Sequence, residues 1–369
     1  NQTWDSLMGK HYQIRPRDNP ISRLSAVAII GAALSFLPAC SNEKPFIKET
    51  FVMGTRASVT IYGMREAEAE RAATKALHEL HRIESVMSNW KKNSEISRLN
   101  RGSRGQPFQV TAELLALVDS SLLYSKATSG AFDITARPLV QLWGFQGGAA
   151  MPPTEEQVDK TKNVVGYDKI AVDRSSSTIT LPPGMSLDLA GVAKGHGVDR
   201  CVLILKENGA KTALVNLGGN IYALGSPPGK DGWSIGIRDP LGSGETIGSI
   251  LIKDEAVATS GNYENFVEID GKRYGHIIDP RSGRPVEDIL SVTIIAPTAL
   301  ASDALSTGLF ILGSEHSAKI LKGLPRVKAI FAEPDGETIL YTTFGNLKRI
   351  LLPENAQTIR SKEPVGKSN

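Results

Sequence analysis

The chain has 369 residues, 41% of them hydrophobic and 22% charged, which supports one large folded domain or two moderate ones and argues against a disordered or fibrous protein. Its 42 basic and 39 acidic residues give a formal net charge of +3, too balanced for a protein that binds nucleic acid through its overall charge. The two cysteines, Cys40 and Cys201, are too few for the disulfide framework of a small secreted domain.

The N-terminal segment has the pattern of an export signal. Basic residues precede a short apolar run, Leu24 to Leu37, and small residues then lead to Cys40. The apolar run is too short to span a bilayer comfortably. Residues 37–40, Leu-Pro-Ala-Cys, resemble a bacterial lipobox, in which the cysteine is lipidated and becomes the new N-terminus. The alternative is an ordinary signal peptide with an incidental cysteine, and both interpretations predict an exported protein.

Apolar periodicity predicts the elements in chain order. A strand is expected over 51–62, amphipathic helices over 66–90 and 112–129, a hairpin over 170–181, and a glycine-rich entry into a helix over 187–208. Strands follow at 212–224, 233–238, 247–253 and 256–259, and Asp270-Gly271 predicts a hairpin between 265–269 and 273–277. A strand over 291–296, a helix over 300–312, a further helix and a final hairpin complete the chain.

Hairpins with interspersed helices indicate an α+β fold with largely antiparallel sheets. Because no linker separates two independent domains, the sequence predicts one large domain. Its expected regions are an N-terminal extension with a lipoprotein signal peptide (1–39), a linker that begins at the lipidated Cys40 (40–49), the domain itself (50–352) and a polar C-terminal tail (353–369).

Four stretches carry more glycine and polar residues than a structural core needs. In the first, residues 130–145, Asp133 and Thr135 lie close together in a loop between apolar elements. Their side chains either face one ligand or cap the local backbone, as in an Asx-turn.

The second stretch, residues 187–199, has the composition of an anion-binding turn. A strand ending in Asp188, a turn at Ala190-Gly191 and a helix entered at Lys194 would aim backbone groups and one cation at an anion. A glycine turn with a solvated lysine is the alternative.

The third stretch, residues 275–285, places His276 just before a turn that contains Asp279 and Arg281. A histidine in that position is a base, a donor to phosphate or a structural side chain. The spacing alone leaves all three interpretations open.

The fourth stretch, residues 301–313, is helical by its apolar pattern, so that Asp303, Ser306 and Thr307 share one face. Three oxygen-bearing side chains suit a hard cation such as Mg²⁺, which binds one or two carboxylates together with substrate phosphates and waters. The alternative is a buried helix whose Ser and Thr side chains bond back to the preceding turn.

Taken in order, eight motifs resemble the ApbE family of FAD:protein FMN transferases. They are FVMGT (51–55), SNWKKNSEISRLN (88–100), GAFDITARPLVQLWGF (130–145), LDLAGVAKGHGVD (187–199), ALVNLGGNIYALG (213–225), ATSGNYENF (258–266), GHIIDPRSGRP (275–285) and SDALSTGLFILG (302–313). Eight motifs in this order are far more specific than any one of them.

The resemblance implies a FAD bound between the early loops and the Lys194 segment, with Mg²⁺ on its pyrophosphate. The residues it carries over as nucleotide contacts are Met53, Trp90, Ala131, Phe132, Asp133, Asp188, Lys194 and Ile277. The implied metal ligands are the Gly191 carbonyl and the oxygens of Asp303, Ser306 and Thr307. His276 is the candidate base or phosphate donor, and Asp279 is expected to position it.

The implied activity is Mg²⁺-dependent: FAD is split, FMN is joined by a phosphoester bond to a serine or threonine hydroxyl of a partner protein, and AMP is released. With the export signal, this predicts a lipid-anchored enzyme on the periplasmic face of a bacterial membrane. The expected acceptor is a Ser or Thr in a small-residue-rich loop of a membrane redox protein. Hydrolysis of FAD to FMN and AMP is one alternative, and a non-catalytic flavin-binding lipoprotein is another.

Overall fold

The computed structural model describes residues 44–145, 152–241, 243–262, 266–269, 272–336, 338–347 and 358–362. The predicted signal peptide, Cys40 and most of the polar tail lie outside these residues. The strands are β1 (Phe46–Val52), β2 (Thr55–Tyr62), β3 (Phe108–Gln109), β4 (Ala171–Asp173), β5 (Thr178–Thr180), β6 (Thr212–Leu217), β7 (Asn220–Leu224), β8 (Trp233–Arg238), β9 (Thr246–Ile252), β10 (Glu255–Gly261), β11 (Phe266–Ile269), β12 (Lys272–Gly275), β13 (Ile278–Asp279), β14 (Arg284–Pro285), β15 (Ser291–Ala296), β16 (Lys328–Asp335), β17 (Thr338–Phe344) and β18 (Thr358–Lys362). The helices are α1 (Glu66–Met87), α2 (Glu95–Gly102), α3 (Ala112–Ala127), α4 (Arg137–Leu142), α5 (Glu155–Lys162), α6 (Ala190–Glu207) and α7 (Ala299–Lys322).

Nine of these strands form one sheet in the order β1-β2-β6-β7-β10-β15-β16-β17-β18. Neighbouring strands are antiparallel except β17 and β18, which are parallel. The remaining strands pair in small sheets, of which β8–β9 and β11–β12 are hairpins. The fold is therefore α+β with largely antiparallel sheets, as the sequence predicted.

Helices α1, α6 and α7 cover one face of the large sheet. Strand β6 turns Ala213, Val215 and Leu217 toward them, with the period of two expected of a strand that buries one face. Helix α1 presents a buried stripe of small residues (Ala69, Ala72, Ala73 and Ala76), and short side chains let the helices approach closely. Helix α6 packs against this stripe and also against α7.

Helix α7 is buried around most of its circumference, which is the pattern of a core helix. Its side chains Leu305, Leu309 and Phe310 lie in the largest core cluster. The helix breaks at Gly313, where φ is 69° and ψ is 172°. This break separates the predicted helix over 300–312 from the further helix predicted after it. None of the helices in the described part of the chain has both the length and the apolarity needed to cross a bilayer.

The other face of the sheet is covered by the β8–β9 hairpin. Trp233, Ile235 and Ile237 of β8 pack in one cluster with Ile295 of β15 and Ile330 of β16. Apolar residues alternate along β8 because only one of its faces is buried. Two of the polar stretches of the sequence, residues 187–199 and 301–313, contribute to helices α6 and α7 on the opposite face.

The first predicted strand is a hairpin. The sequence predicted one strand over 51–62, whereas β1 begins at Phe46 and the chain reverses at Met53 and Gly54, whose φ angles are 52° and 74°. Positive φ at both central residues defines a primed two-residue turn, which matches the twist of paired strands. The predicted helix over 66–90 also ends early, at Met87, so Trp90 lies in the loop beyond it.

The prediction of a strand ending at Asp188 is wrong. The backbone of Leu187 is bonded by side chains instead of a strand: its N–H donates to Asn100 Oδ1 (2.7 Å), and its carbonyl accepts from the Asn89 and Asn100 amides (3.0 and 2.9 Å). Asp188 Oδ1 then accepts a hydrogen bond from the Ala190 N–H (3.0 Å), a local turn that leads into α6. Because α6 begins at Ala190, Gly191 and Lys194 lie within the helix.

Candidate functional site

A cavity of about 780 Å³ opens where the β1–β2 turn, the loop after α1 and the start of α6 meet. Its lining includes five residues that the sequence predicted for the site, Met53, Trp90, Asp188, Lys194 and His276. Residues far apart in the chain are therefore gathered around one space. The loop after α4 and strand β11 complete the wall, with Gly144, Phe145, Phe266 and Val267.

The mouth of the cavity is aromatic. Trp90 is 76% exposed, and Phe145 lines the wall with it. An indole combines a large apolar face with a polar N–H, and flat rings stack on it. The mouth therefore suits a flat aromatic ligand better than a flexible polar one.

The rim of the cavity is tied together by Glu84 on α1. Its Oε1 accepts a hydrogen bond from the Met53 N–H (2.8 Å), and its Oε2 pairs with Lys91 Nζ (2.6 Å). One carboxylate thus joins the strained β1–β2 turn to the loop that carries Trp90. No local pattern distinguishes Glu84, because its partners belong to two other segments.

Ala131 and Phe132 are buried, and Asp133 is partly buried; none of the three is among the residues that line the cavity. A Cβ built on Gly191 would be 3.1 Å from the Phe132 ring, so this ring packs directly under the start of α6. Asp133 Oδ1 accepts from the N–H and hydroxyl of Thr135 (2.8 and 2.7 Å), and its Oδ2 accepts from the Tyr167 N–H (2.9 Å). Burial raises the pKa of Asp133, and these hydrogen bonds oppose the rise. Asp133 therefore caps the local backbone, as the alternative interpretation expected. A direct contact of Ala131, Phe132 and Asp133 with a nucleotide stays a prediction.

His276 and Ile277 follow β12 on the wall of the cavity. The Ile277 carbonyl accepts from the Val286 N–H (2.9 Å), which anchors the segment, and the Ile277 side chain is buried. Asp279 binds Arg281 through both carboxylate oxygens (2.8 Å each) and also accepts from the Arg281 N–H (2.9 Å). The carboxylate of Asp279 is thus engaged within its own turn, and its predicted role in positioning His276 stays a prediction.

Lys194 on the cavity wall lies close to a buried carboxylate, Asp303. Lys194 lines the cavity, whereas Asp303 on α7 is only 5% exposed. Asp303 Oδ2 accepts from the Gly195 N–H (2.8 Å). Burial raises the pKa of Asp303, while the Lys194 charge and the hydrogen bonds from Gly195 and Asn220 oppose this shift. A buried carboxylate of this kind gains when a cation binds beside it.

Ser306 and Thr307 continue the same face of α7. The Ser306 hydroxyl donates to the Asp303 carbonyl (2.9 Å) and lies 2.9 Å from the Ser260 hydroxyl, and Thr307 Oγ1 lies 3.5 Å from the Asp303 carbonyl. Back-bonding to the preceding turn is therefore present. A Cβ built on Gly191 would be 3.6 Å from Thr307 Oγ1, which brings α6 and α7 together at this point.

These residues fit a magnesium ion. They offer one carboxylate, two hydroxyls and a nearby backbone carbonyl, all of them hard oxygen donors. Among the described residues no group of three or more His, Cys, Asp and Glu side chains is arranged to hold a metal. A set with a single carboxylate leaves room for substrate phosphates and water, as Mg²⁺ prefers.

Gly195 sets the distance between α6 and α7 at this end of the site. A Cβ at Gly195 would lie 2.3 Å from the Ala299 carbonyl oxygen and 2.8 Å from Asp303 Cβ. At Gly197, two residues along the same helix, the nearest atom would be Leu80 Cδ2 at 2.9 Å, the end of a flexible side chain.

We expect Gly195→Ala to destabilise the protein and Gly197→Ala to be close to neutral. The backbone of α7 cannot move away from a new methyl group without loss of packing, and such overpacking costs about 1–3 kcal/mol. At Gly197 the side chain of Leu80 can adjust, and alanine is favoured over glycine in a helix by about 1 kcal/mol. Urea unfolding of the two variants measures the difference, and equal midpoints would contradict the close contact.

Comparison with known proteins identifies the family. Residues 53–331 match the ApbE family. The FAD:protein FMN transferase of Haemophilus influenzae is 34% identical over 310 residues, which cover 80% of this chain and 89% of that protein. The enzyme of the same name from Treponema pallidum is 34% identical over 330 residues, covering 84% of this chain and 91% of that protein.

Solved structures agree with the sequence comparison. The ApbE protein of Thermotoga maritima superposes with a TM-score of 0.74 at 29% identity, covering 83% of this chain and 97% of that one. The flavin transferase ApbE of Vibrio cholerae gives a TM-score of 0.73 at 29% identity, with 82% and 97% covered. Family match, sequence identity and fold lead to the same conclusion: this chain belongs to the ApbE family.

Proposed function

We propose that this chain is an FAD:protein FMN transferase, which splits FAD and attaches the FMN half to a hydroxyl of a partner protein. The observation that carries the proposal is one cavity with two chemically different features. Its wall offers the exposed indole of Trp90 to a flat ring, and it also offers Lys194, behind which the buried Asp303 lies. A flavin joined to a pyrophosphate matches both.

The proposed reaction is a phosphoryl-centred substitution. A serine or threonine hydroxyl of the acceptor attacks the phosphorus of the FMN half, a new P–O bond forms, and the P–O bond to the AMP half breaks. AMP departs with the bridging oxygen, and the proton of the hydroxyl passes to a base. His276 on the cavity wall is the residue we assign to that proton, and Lys194 would offset the negative charge of the phosphates.

Bound Mg²⁺ would supply further neutralisation of the pyrophosphate and of the departing AMP. The residues that would hold it are the Gly191 carbonyl and the oxygens of Asp303, Ser306 and Thr307. Asp188 and Met53, at the start of α6 and in the β1–β2 turn, would border the nucleotide.

The location and the acceptor belong to the same proposal. The lipobox-like sequence at residues 37–40 supports a lipid-anchored protein on the periplasmic face of a bacterial membrane. An enzyme held there would meet the periplasmic loops of membrane redox proteins. We propose an acceptor Ser or Thr in a loop of small residues, because a bulky segment would be hindered from bringing its hydroxyl to a phosphate inside the cavity.

The test is transfer in solution. The chain from Ser41 onward is mixed with FAD, Mg²⁺ and a peptide that carries Ser or Thr among Gly and Ala residues, and the peptide is weighed by mass spectrometry. We expect the mass of one FMN to be added and AMP to appear in equal amount. Rapid release of FMN and AMP without acceptor would indicate a hydrolase instead. FAD that stays intact with Mg²⁺ and acceptor present would indicate a non-catalytic flavin-binding protein.

A further inference from the structure

Asn220 is a buried amide next to Lys194 and Asp303. It is the first residue of β7, it follows the Gly218-Gly219 turn, and it is only 3% exposed. Both glycines have positive φ, 56° and 89°, which turns the chain sharply enough to bring Asn220 against α6 and α7. A buried amide costs free energy unless its donor and acceptor are both bonded, so its partners define its role.

The Asn220 amide bridges the two charged groups of the site. In the orientation that satisfies both neighbours, its NH₂ donates to Asp303 Oδ1 over 3.1 Å and its oxygen accepts from Lys194 Nζ over 3.3 Å. The opposite orientation would place oxygen against carboxylate and NH₂ against ammonium. With Gly195 N–H on Oδ2, both oxygens of Asp303 are then bonded.

We propose that Asn220 is a positioning residue, which holds Lys194 and Asp303 at the two ends of one amide so that Lys194 faces the phosphates of the nucleotide. This inference rests on the proposed function. The half-buried ammonium of Lys194 and the buried carboxylate of Asp303 attract each other. Without a neutral group between them they would pair directly, and Lys194 would turn away from the ligand.

The chemistry of the side chain explains why asparagine suits this position. An amide carries a donor and an acceptor, whereas a carboxylate only accepts and an alanine does neither. Asn220→Asp would keep the acceptor for Lys194, lose the donor for Asp303 and add a negative charge that retains Lys194. Asn220→Ala would remove both bonds.

The experiment measures FAD affinity in the absence of divalent ions and steady-state transfer in the presence of Mg²⁺. Loss of a group that orients a ligand-binding residue typically costs ten- to a hundredfold, and we expect Asn220→Ala to weaken FAD binding by about that factor. Asn220→Asp is expected to weaken it further. Asn216→Ala is the control, because Asn216 Oδ1 accepts from the Gly219 N–H (3.0 Å) and so supports the same turn from outside the site.

A double-mutant cycle with Lys194→Met tests whether Asn220 acts through Lys194. If it does, Asn220→Ala weakens FAD binding in the parent protein and adds little once Lys194 is replaced, since coupled residues are not additive. Additive losses, or an effect no larger than that of Asn216→Ala, would overturn the proposal. If the parent protein neither binds FAD nor transfers FMN, the proposed function fails instead. Thermal unfolding of the same four proteins without ligand still reports whether the two side chains are coupled.

Discussion

Asp303→Ala is expected to abolish FMN transfer while the protein stays folded. Charge stabilisation by a metal ion is worth several kcal/mol in a transition state, and each 1.4 kcal/mol is a factor of ten, so we expect a loss of about a thousandfold or more in kcat/KM. Burial raises the pKa of Asp303, which means that its charge is costly in the ligand-free fold. The neutral, isosteric variant Asp303→Asn should also lose activity, and it should lose some stability because its NH₂ replaces one of the two oxygens that accept from the Gly195 N–H and the Asn220 NH₂.

The matched control for this prediction is Ser302→Ala. Ser302 is the preceding residue on α7, is fully buried, and donates its hydroxyl to the Ala299 carbonyl (3.0 Å). Its loss should change stability slightly and leave transfer intact. Activity is measured by AMP release and by the mass of the acceptor, at increasing Mg²⁺ and after addition of a chelator. Full turnover of Asp303→Ala, or of the parent protein with the chelator present, would contradict the magnesium assignment.

Replacement of His276 is expected to slow transfer far more than it weakens FAD binding. General acid–base catalysis contributes about 10²–10⁴-fold, and we expect kcat of His276→Ala to fall within that range. The affinity for FAD should change by much less, because Trp90 and Lys194 remain on the cavity wall. Transfer to a peptide acceptor gives the rate, and flavin fluorescence gives the affinity.

Chemical rescue distinguishes loss of the base from a structural change in the cavity wall, because added imidazole can replace only the base. His276→Gly leaves space at the end of β12, and added imidazole should restore part of the rate in proportion to the unprotonated fraction of the imidazole. His316→Ala is the control, since His316 is exposed on the part of α7 beyond Gly313. Unchanged turnover in His276→Ala would rule out the assignment of His276 as the base.

The sequence predicts best where one physical signal dominates. The strands at 233–238 and 291–296 have the bounds that the sequence predicted, because apolar alternation defines β8 and a short segment rich in β-branched residues defines β15. The hairpin between β11 and β12 is also confirmed. Short-range patterns were less reliable near Asp188, where two asparagines from the α1–α2 region bond the backbone that a strand partner was expected to bond.

The candidate site was only partly predictable for the same reason. Lys194 and Asp303 were selected because their own segments are unusual in composition. Asn220 and Glu84 were not selected, since each acts through partners distant in the chain. A polar residue directly after a Gly-Gly turn and before an apolar strand was the one local signal of Asn220. The contacts between these buried polar groups depend on how β7, α6 and α7 pack together. Sequence periodicity does not predict such contacts.

Strand β1 runs from Phe46 to Val52 and leads into the turn at Met53, so the first strand in the described part of the chain ends on the rim of the cavity. An extended chain covers at most about 3.3–3.6 Å per residue, which limits the span from Cys40 to Met53 to about 45 Å. If Cys40 carries a lipid, this span sets the greatest distance between the bilayer and the rim of the cavity. An acceptor hydroxyl would then have to lie within about that height above the bilayer to be flavinylated, and lengthening the tether should extend the range of acceptors.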